Sequence, residues 1–178
     1  MAPRAGSTRR SNATVHGAPD RRLLLDHASR LLAEGGTSAL TMRALAADAG
    51  TSTMVLYTRF GSREALVEAL LAEGFSRFAD ALSQVSERDP VTHLVALGRA
   101  YRAFALANPT YYRLMWRGPT EMGPAWCPDG LAATHGRRAF GALVHAVTRV
   151  LAADDRPARE AEPLATCIWA PVHGFVSL

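Results

Sequence analysis

The sequence predicts an all-α protein. Apolar residues recur at steps of three and four in successive segments, the spacing that places them on one face of a helix. Short runs of Gly, Pro, Ser and Asn, which begin or end helices, stand between these segments. No useful stretch alternates apolar and polar residues with the period of two that a β-strand shows, and we find no internal repeat. We therefore expect a helical bundle without a sheet.

Length and composition bound the class of protein. The 178 residues suit one compact domain or a small domain joined to a larger one, and an apolar fraction of 48% provides for a sizeable core. No window approaches the ~18 consecutive apolar residues of a membrane span. The basic N-terminus lacks the apolar stretch of a signal peptide. We expect a cytoplasmic protein that does not associate with membranes.

The cysteines and histidines indicate neither a metal nor a cofactor. Cys127 and Cys167 lie in separate segments, and none of the six histidines joins a cysteine or carboxylate at metal-ligand spacing. We expect both thiols to be reduced, and we expect no cofactor and no metal ion.

Positive charge is concentrated in the first third of the chain. Residues 1–63 carry nine arginines against four acidic residues, a balance of +5, whereas residues 64–178 carry eleven against twelve, a balance of −1. This distribution is expected if the first third faces a polyanion and the rest does not.

The elements follow in order from residue 1. Residues 1–20 hold Pro, Gly, Ser and Arg without apolar periodicity and predict a flexible basic arm. The arm is either a disordered terminus or a segment whose arginines reach into a minor groove. A first helix starts near Arg21 and ends at Gly35-Gly36, because apolar residues share one face at Leu24, Ala28, Leu31 and Leu32.

Two short helices come next. Thr41 is a suitable N-cap for a helix over residues 42–49, and Gly50 ends it. Ser52 can cap a second helix that runs to about Phe60.

Longer helices fill the remainder. Ser62 caps a long helix with an apolar stripe from Val67 to Val85, and another helix stops at Asn108-Pro109. A short aromatic helix spans residues 110–116, and the Pro- and Gly-rich residues 118–130 predict a loop. Two apolar stripes, at residues 140–151 and 164–175, predict the last two helices. We divide the chain into residues 1–20, 21–66 and 67–178.

The stretch AADAGTSTMVLYTRF predicts a helix-turn-helix. Two helices that cross steeply need a small residue at the contact, a turn residue that accepts positive φ, and an apolar plug on the second helix. Here the small residue is Ala46, the turn residue is Gly50 and the apolar plug is Leu56. The side chains left outside are short polar or apolar tips that suit a major groove.

The segment TSALTMRALAADAGTSTMVLYTRFGSREALVEALL resembles the N-terminal domain of TetR-type transcriptional regulators. The resemblance implies a DNA-binding domain over residues 21–66. It implies that Thr41 caps the first helix of the motif and contacts phosphate. It gives contacts to bases or backbone to Arg43, Ser52, Thr53, Met54, Tyr57, Arg59 and Arg63.

The segment departs from the family pattern in three places. Thr51 replaces a buried aliphatic residue, Arg59 replaces a histidine, and Thr53-Met54 replaces a Lys/Arg-Gly pair. The base preference of relatives therefore does not transfer to this chain.

The second part resembles the regulatory domain of a TetR subgroup with a Trp-x-x-x-His-Gly signature, here Trp169, His173 and Gly174, through ANPTYYRLMW and IWAPVHGF. Ala170 and Gly174 lie four apart, which permits the close helix approach of a dimer interface. The family continues into another helix beyond Leu178, so we expect a domain cut short at its C-terminus.

The aromatic content of this second part predicts an apolar pocket between helices. The resemblance implies that a small, hydrophobic effector binds there. The candidate lining residues are Phe78, Tyr101, Phe104, Tyr111, Met115, Trp116, Trp126, Phe140, Trp169 and His173.

The functional hypothesis is a homodimeric repressor that binds a palindromic double-stranded operator and responds to a ligand. Two rival classes remain open. A helical-bundle enzyme would need convergent acid, base or metal residues, which the sequence does not show. A helical interaction module would present its basic end to an acidic partner protein.

Overall fold

The computed structural model describes residues 20–122 and 131–177. Within these ranges the chain forms α-helices, one short 3-10 turn at Ala158–Glu160 and no strand, which confirms the all-α prediction. Residues 1–19 of the basic arm and Trp126 lie outside the described residues. The helices in chain order are α1 (Arg21–Ala39), α2 (Met42–Asp48), α3 (Thr53–Phe60), α4 (Arg63–Ser83), α5 (Pro90–Ala107), α6 (Pro109–Met122), α7 (Leu131–Ala153) and α8 (Ala161–Ser177).

Side-chain caps set the beginnings of the short helices. Thr41 Oγ1 accepts a hydrogen bond from the Ala44 N–H at 3.0 Å, and Ser52 Oγ accepts one from Val55 at 3.2 Å. Ser62 Oγ accepts from Ala65 at 3.1 Å at the start of α4. These bonds satisfy N–H groups that have no partner inside the helix. The three caps predicted from the sequence are therefore confirmed.

The end of α1 differs from the prediction in detail. Gly36 has φ 66° and ψ −163°, which interrupts the helical backbone where Gly35-Gly36 was expected to end it. Helical turns continue to Ala39 before the chain enters α2. Glycine suits this position because positive φ carries no side-chain clash.

The predicted loop over residues 118–130 is wrong in its first part. α6 continues through Gly118 and Pro119 to Met122. A proline removes one backbone donor, and its local preference against helix is a weak guide that the surrounding structure overrides here. Residues 123–130 lie outside the described residues.

α4 forms the centre of the molecule. It packs against α1, α3, α5, α6 and α7. One apolar core therefore extends from Leu24 and Leu25 of α1 through Leu70 of α4 to Tyr101 of α5. The expected boundary at residues 66 and 67 falls inside this continuous helix, so the two parts share α4.

Charged and aromatic side chains join α1 to the second part. Arg77 of α4 donates through Nη2 to Asp26 Oδ1 of α1 at 2.7 Å, and through Nε to Glu73 Oε1 at 2.7 Å. Its guanidinium also lies 4.9 Å from the ring centroid of Tyr111 on α6. A second bond links the start of α1 to α4, since Arg22 Nε donates to Glu73 Oε1 at 3.0 Å. α1, α4 and α6 therefore meet in one polar cluster.

The turn between α2 and α3 gives the first prediction. Gly50 has φ 62°, and a Cβ added there would meet nothing within 4 Å, so Gly50→Ala tests backbone strain alone. We expect it to lower the free energy of unfolding by about 1–2 kcal/mol. Gly141→Ala is the control, because Gly141 is an exposed helical glycine with equally open space. This control should raise stability by about 0.5–1 kcal/mol. Urea unfolding measures both, and equal shifts would contradict the assignment.

Candidate nucleic-acid interface and apolar cavity

The crossing of α2 and α3 has the geometry that the sequence predicts. Leu45 and Leu56 are fully buried and Ala46 is nearly so, which packs the two helices against each other and the core. Thr51 N–H donates to the Ala46 carbonyl at 2.9 Å across the turn. Positive φ at Gly50 allows this tight reversal. α3 is thereby held at a fixed angle with one face buried.

The opposite side of this unit is exposed. Met54 and Tyr57 have 77% and 53% of their surface accessible. We name this surface the α2–α3 face and define it by its exposed members Thr41, Arg43, Ser52, Thr53, Met54, Tyr57 and Arg59. Large exposed side chains this close together are typical of a surface that binds another molecule.

The α2–α3 face is positively charged. Arg43 and Arg59 are exposed on it, and α3 contains no acidic residue. Asp48, the acidic residue of α2, faces α1, where its Oδ2 lies 2.7 Å from His27 Nδ1 and 3.5 Å from Arg30. The one carboxylate of the two helices is therefore paired with Arg30 and hydrogen-bonded to His27, both on α1.

Arg63 has a different position from the one expected. Its Nε donates to the Leu40 carbonyl at 2.8 Å, and its Nη2 donates to the Thr37 carbonyl at 2.6 Å. These bonds tie the start of α4 to the connection between α1 and α2. In the free chain the guanidinium stabilises backbone carbonyls, and the phosphate contact expected from the resemblance stays a prediction.

The second part contains an apolar cavity of about 540 Å³ between α4, α5, α6, α7 and α8. This volume is within the range of small-molecule sites in proteins. Five of the predicted residues line it: Phe78, Tyr101, Trp116, Phe140 and Trp169.

Comparison with known proteins identifies the family. Residues 24–70 match the family model described as "Bacterial regulatory proteins, tetR family". Residues 94–178 match the model described as "Tetracyclin repressor-like, C-terminal domain". The chain belongs to the TetR family. The narrower Trp-x-x-x-His-Gly subgroup stays a prediction.

Individual relatives agree with this assignment. The HTH-type transcriptional regulators Rv1816 of Mycobacterium tuberculosis and Mb1846 of Mycobacterium bovis are each 30% identical over 140 residues, which cover 76% of this chain and 55% of theirs. The match thus spans little more than half the length of these curated relatives.

Solved structures share the TetR fold. A protein of unknown function from Rhodococcus sp. RHA1 is 30% identical, with a TM-score of 0.79 over 93% of this chain and 85% of its own. A TetR variant from Acinetobacter baumannii AYE in complex with minocycline is 21% identical, with a TM-score of 0.58 over 89% of this chain and 79% of its own. The second likeness concerns the fold alone.

Four predicted pocket residues do not line the cavity of this TetR-family chain. Phe104 packs against Phe78 with ring centroids 5.1 Å apart, and Met115 lies against Gly74. Tyr111 faces α1, and His173 lies behind Trp169 with the two rings stacked 5.2 Å apart. Periodicity showed these side chains to be inside the fold, but it does not tell which space they face.

Sequence reasoning also missed most of the wall. Leucines that the helical stripes indicated as core prove to line the cavity, and two exposed polar residues lie at its opening. These additional lining residues include Phe75, Leu82, Leu94, Leu97, Gly98, Arg137, Leu143, Thr166, Ile168 and Val172.

A polar triangle lies behind the aromatic wall. Tyr101 Oη is 3.1 Å from Tyr112 Oη and 3.0 Å from His173 Nδ1, and Tyr112 Oη is 2.9 Å from the same nitrogen. Burial raises the pKa of Tyr101 and lowers the pKa of His173. Both groups therefore stay uncharged near neutral pH, which removes the cost of burying a charge.

The candidate dimer residues lie on an exposed side of α8. Ala170 and Gly174 are exposed, as are Cys167 one turn earlier and Phe175, which has 72% of its surface accessible. α8 continues through Pro171 to Ser177. This side of α8 is therefore exposed in the single chain, and its role as a dimer interface stays a prediction.

Two absences apply to the described residues. No helix among them is both long and apolar enough to cross a bilayer. The same residues contain no group of three or more His, Cys, Asp and Glu side chains arranged to hold a metal ion.

The position of Arg63 gives the second prediction. Arg63→Ala is expected to lower the free energy of unfolding by about 1–3 kcal/mol, because two carbonyls lose charged donors. Arg59→Ala is the control at an exposed site and should change stability by less than about 0.5 kcal/mol. Thermal and urea unfolding separate the two variants, and an unaffected Arg63→Ala protein would refute the bracing role.

Proposed function

We propose that the protein is a sequence-specific DNA-binding transcriptional regulator that contacts a palindromic operator through the α2–α3 face. One observation carries the proposal: α3 buries Leu56 and turns Thr53, Met54 and Tyr57 outward beside two exposed arginines. A short exposed helix with basic neighbours has the dimensions and charge to enter a major groove.

The side chains divide into two kinds of contact. Thr53 and Met54 open α3, where a hydroxyl can bond a base edge and a thioether chain can pack on a thymine methyl. Arg43, Arg59 and the Tyr57 hydroxyl are donors suited to phosphate oxygens. Thr41 and Ser52 accept hydrogen bonds from their own helices, so their hydroxyl hydrogens remain to be donated to the backbone of DNA.

The second domain gives this regulator a site for a hydrophobic effector. The apolar cavity supports that role, and the Acinetobacter TetR variant with the same fold is a complex with minocycline. We propose repression that the effector relieves.

α6 provides the connection between the cavity and the DNA-binding part. Its Trp116 lines the cavity, whereas its Tyr111 Oη lies 3.5 Å from the Leu25 carbonyl and from Asp26 Oδ1 of α1. A shift of α6 on ligand binding would therefore move α1, which packs on α2. Differential contacts of this kind couple two sites.

We also propose that the regulator is a cytoplasmic homodimer without catalytic activity. Two recognition helices about 34–36 Å apart would then meet successive major grooves on one side of the duplex. The exposed small residues of α8 permit close approach of a second copy, as helix interfaces between subunits require.

Selection of bound fragments from random DNA tests the operator proposal. Met54→Ala and Thr53→Ala are expected to change base preference, at about 1–3 kcal/mol for each lost base contact. Tyr57→Phe should weaken all sites alike, and Arg59→Ala should reduce the salt slope by about 0.9. Leu106→Ala, which changes an exposed residue of α5, is the control and should bind as the parent does. Unaltered preferences in both α3 variants would exclude base reading by α3.

Sedimentation equilibrium tests the dimer. A double variant, Ala170→Arg with Gly174→Arg, would place unpaired charges on the α8 face, and we expect the dimer to weaken by about tenfold or more. Leu106→Arg adds a charge to an exposed position of α5 and should leave the dimer intact. If the dimer weakens equally in both proteins, or in neither, α8 is not part of the interface.

A further inference from the structure

The charges of the cavity wall restrict the chemical class of the ligand more than the volume of the cavity does. The lining residues include no Asp or Glu among the described side chains, and their one charged member is Arg137. Interior positions are aromatic and aliphatic, supplied by residues such as Phe78, Leu97 and Trp169. A cation or a strong hydrogen-bond donor would find no matching acid here, because charge needs a counter-charge away from water.

Arg137 is an exposed member of the cavity lining. Its Nη2 donates at 3.2 Å to Thr134 Oγ1 one turn earlier on α7. No carboxylate among the described residues forms an ion pair with it. The next residue differs in this respect, since Arg138 pairs with Asp80 at 3.1 Å. Arg137 therefore has donors to offer to a ligand.

We propose that the effector is an apolar monocarboxylate, with its hydrocarbon body in the cavity and its carboxylate at Arg137. The carboxylate stays at the solvent-exposed end of the site, where it loses least hydration. There the Arg137 guanidinium can donate to both carboxylate oxygens. Thr166 of α8, the other exposed polar residue of the lining, adds a hydroxyl. This inference rests on the effector site of the proposed function and names its ligand class.

Gly98 provides a means to close the site without disturbing the fold. It lies on the cavity wall in α5, and a Cβ built on it meets nothing within 4 Å. Gly98→Leu would extend a side chain into open space, and leucine is a better helix former than glycine. Gly141→Leu is the matched control, because Gly141 is helical, equally open and exposed, and does not line the cavity.

Isothermal titration of the full chain with decanoate, decanol and decylamine tests the ligand class. We expect decanoate to bind at least about tenfold more tightly than the uncharged alcohol, and the amine to bind least. Arg137→Gln should remove the preference for decanoate and leave decanol unchanged, whereas Arg138→Gln should keep it. Gly98→Leu should abolish binding while Gly141→Leu retains it, with folding checked by the unfolding midpoint. Equal affinity for acid and alcohol, or an unchanged preference in Arg137→Gln, would overturn the proposal.

A parallel DNA shift assay separates this inference from the proposed function. Decanoate that binds through Arg137 but fails to release DNA would support the ligand class and contradict the ligand-responsive regulator. Release of DNA by decanol as effectively as by decanoate would support the regulator and overturn the carboxylate.

Discussion

The crossing of α2 and α3 at Gly50 determines which side chains of α3 face outward. Positive φ at this residue reverses the chain within a few residues, and Ala46 is small enough to let the helices approach. Leu56 then becomes fully buried, which fixes the rotation of α3 about its own axis. Once that rotation is fixed, the first residues of α3 have to face outward, and the basic surface beside them follows.

The sequence predicted the local features of the fold well, because they depend on neighbours in the chain. The caps at Thr41, Ser52 and Ser62 and the break at Gly36 are set by residues within a turn of each other. Long-range partners could not be predicted in this way. Arg63 was expected at phosphate, yet its partners are carbonyls more than twenty residues earlier, and nothing in the local pattern indicates them.

The cavity shows the same limit. Helical spacing indicates that an aromatic side chain points inward, but Phe78 and Tyr101 line a cavity while Phe104 and Met115 pack against other side chains. The difference depends on how α4, α5 and α6 are placed relative to one another. Tyr111 and Tyr112 illustrate it most clearly, since consecutive residues of α6 face α1 and the polar triangle respectively. Position along one helix does not contain that information, and the shared helix α4 determines it by packing against both parts.

Hydrogen exchange of the full chain, with and without a DNA fragment selected for binding, tests whether α3 presents its exposed side to DNA. We expect DNA to slow exchange in α2, the Gly50 turn and α3, because their exposed side becomes covered. In α7 and α8 the exchange rates with and without DNA should differ much less than they do in α3. Protection confined to α7 and α8, with exchange in α3 unchanged by DNA, would show that α3 does not contact DNA.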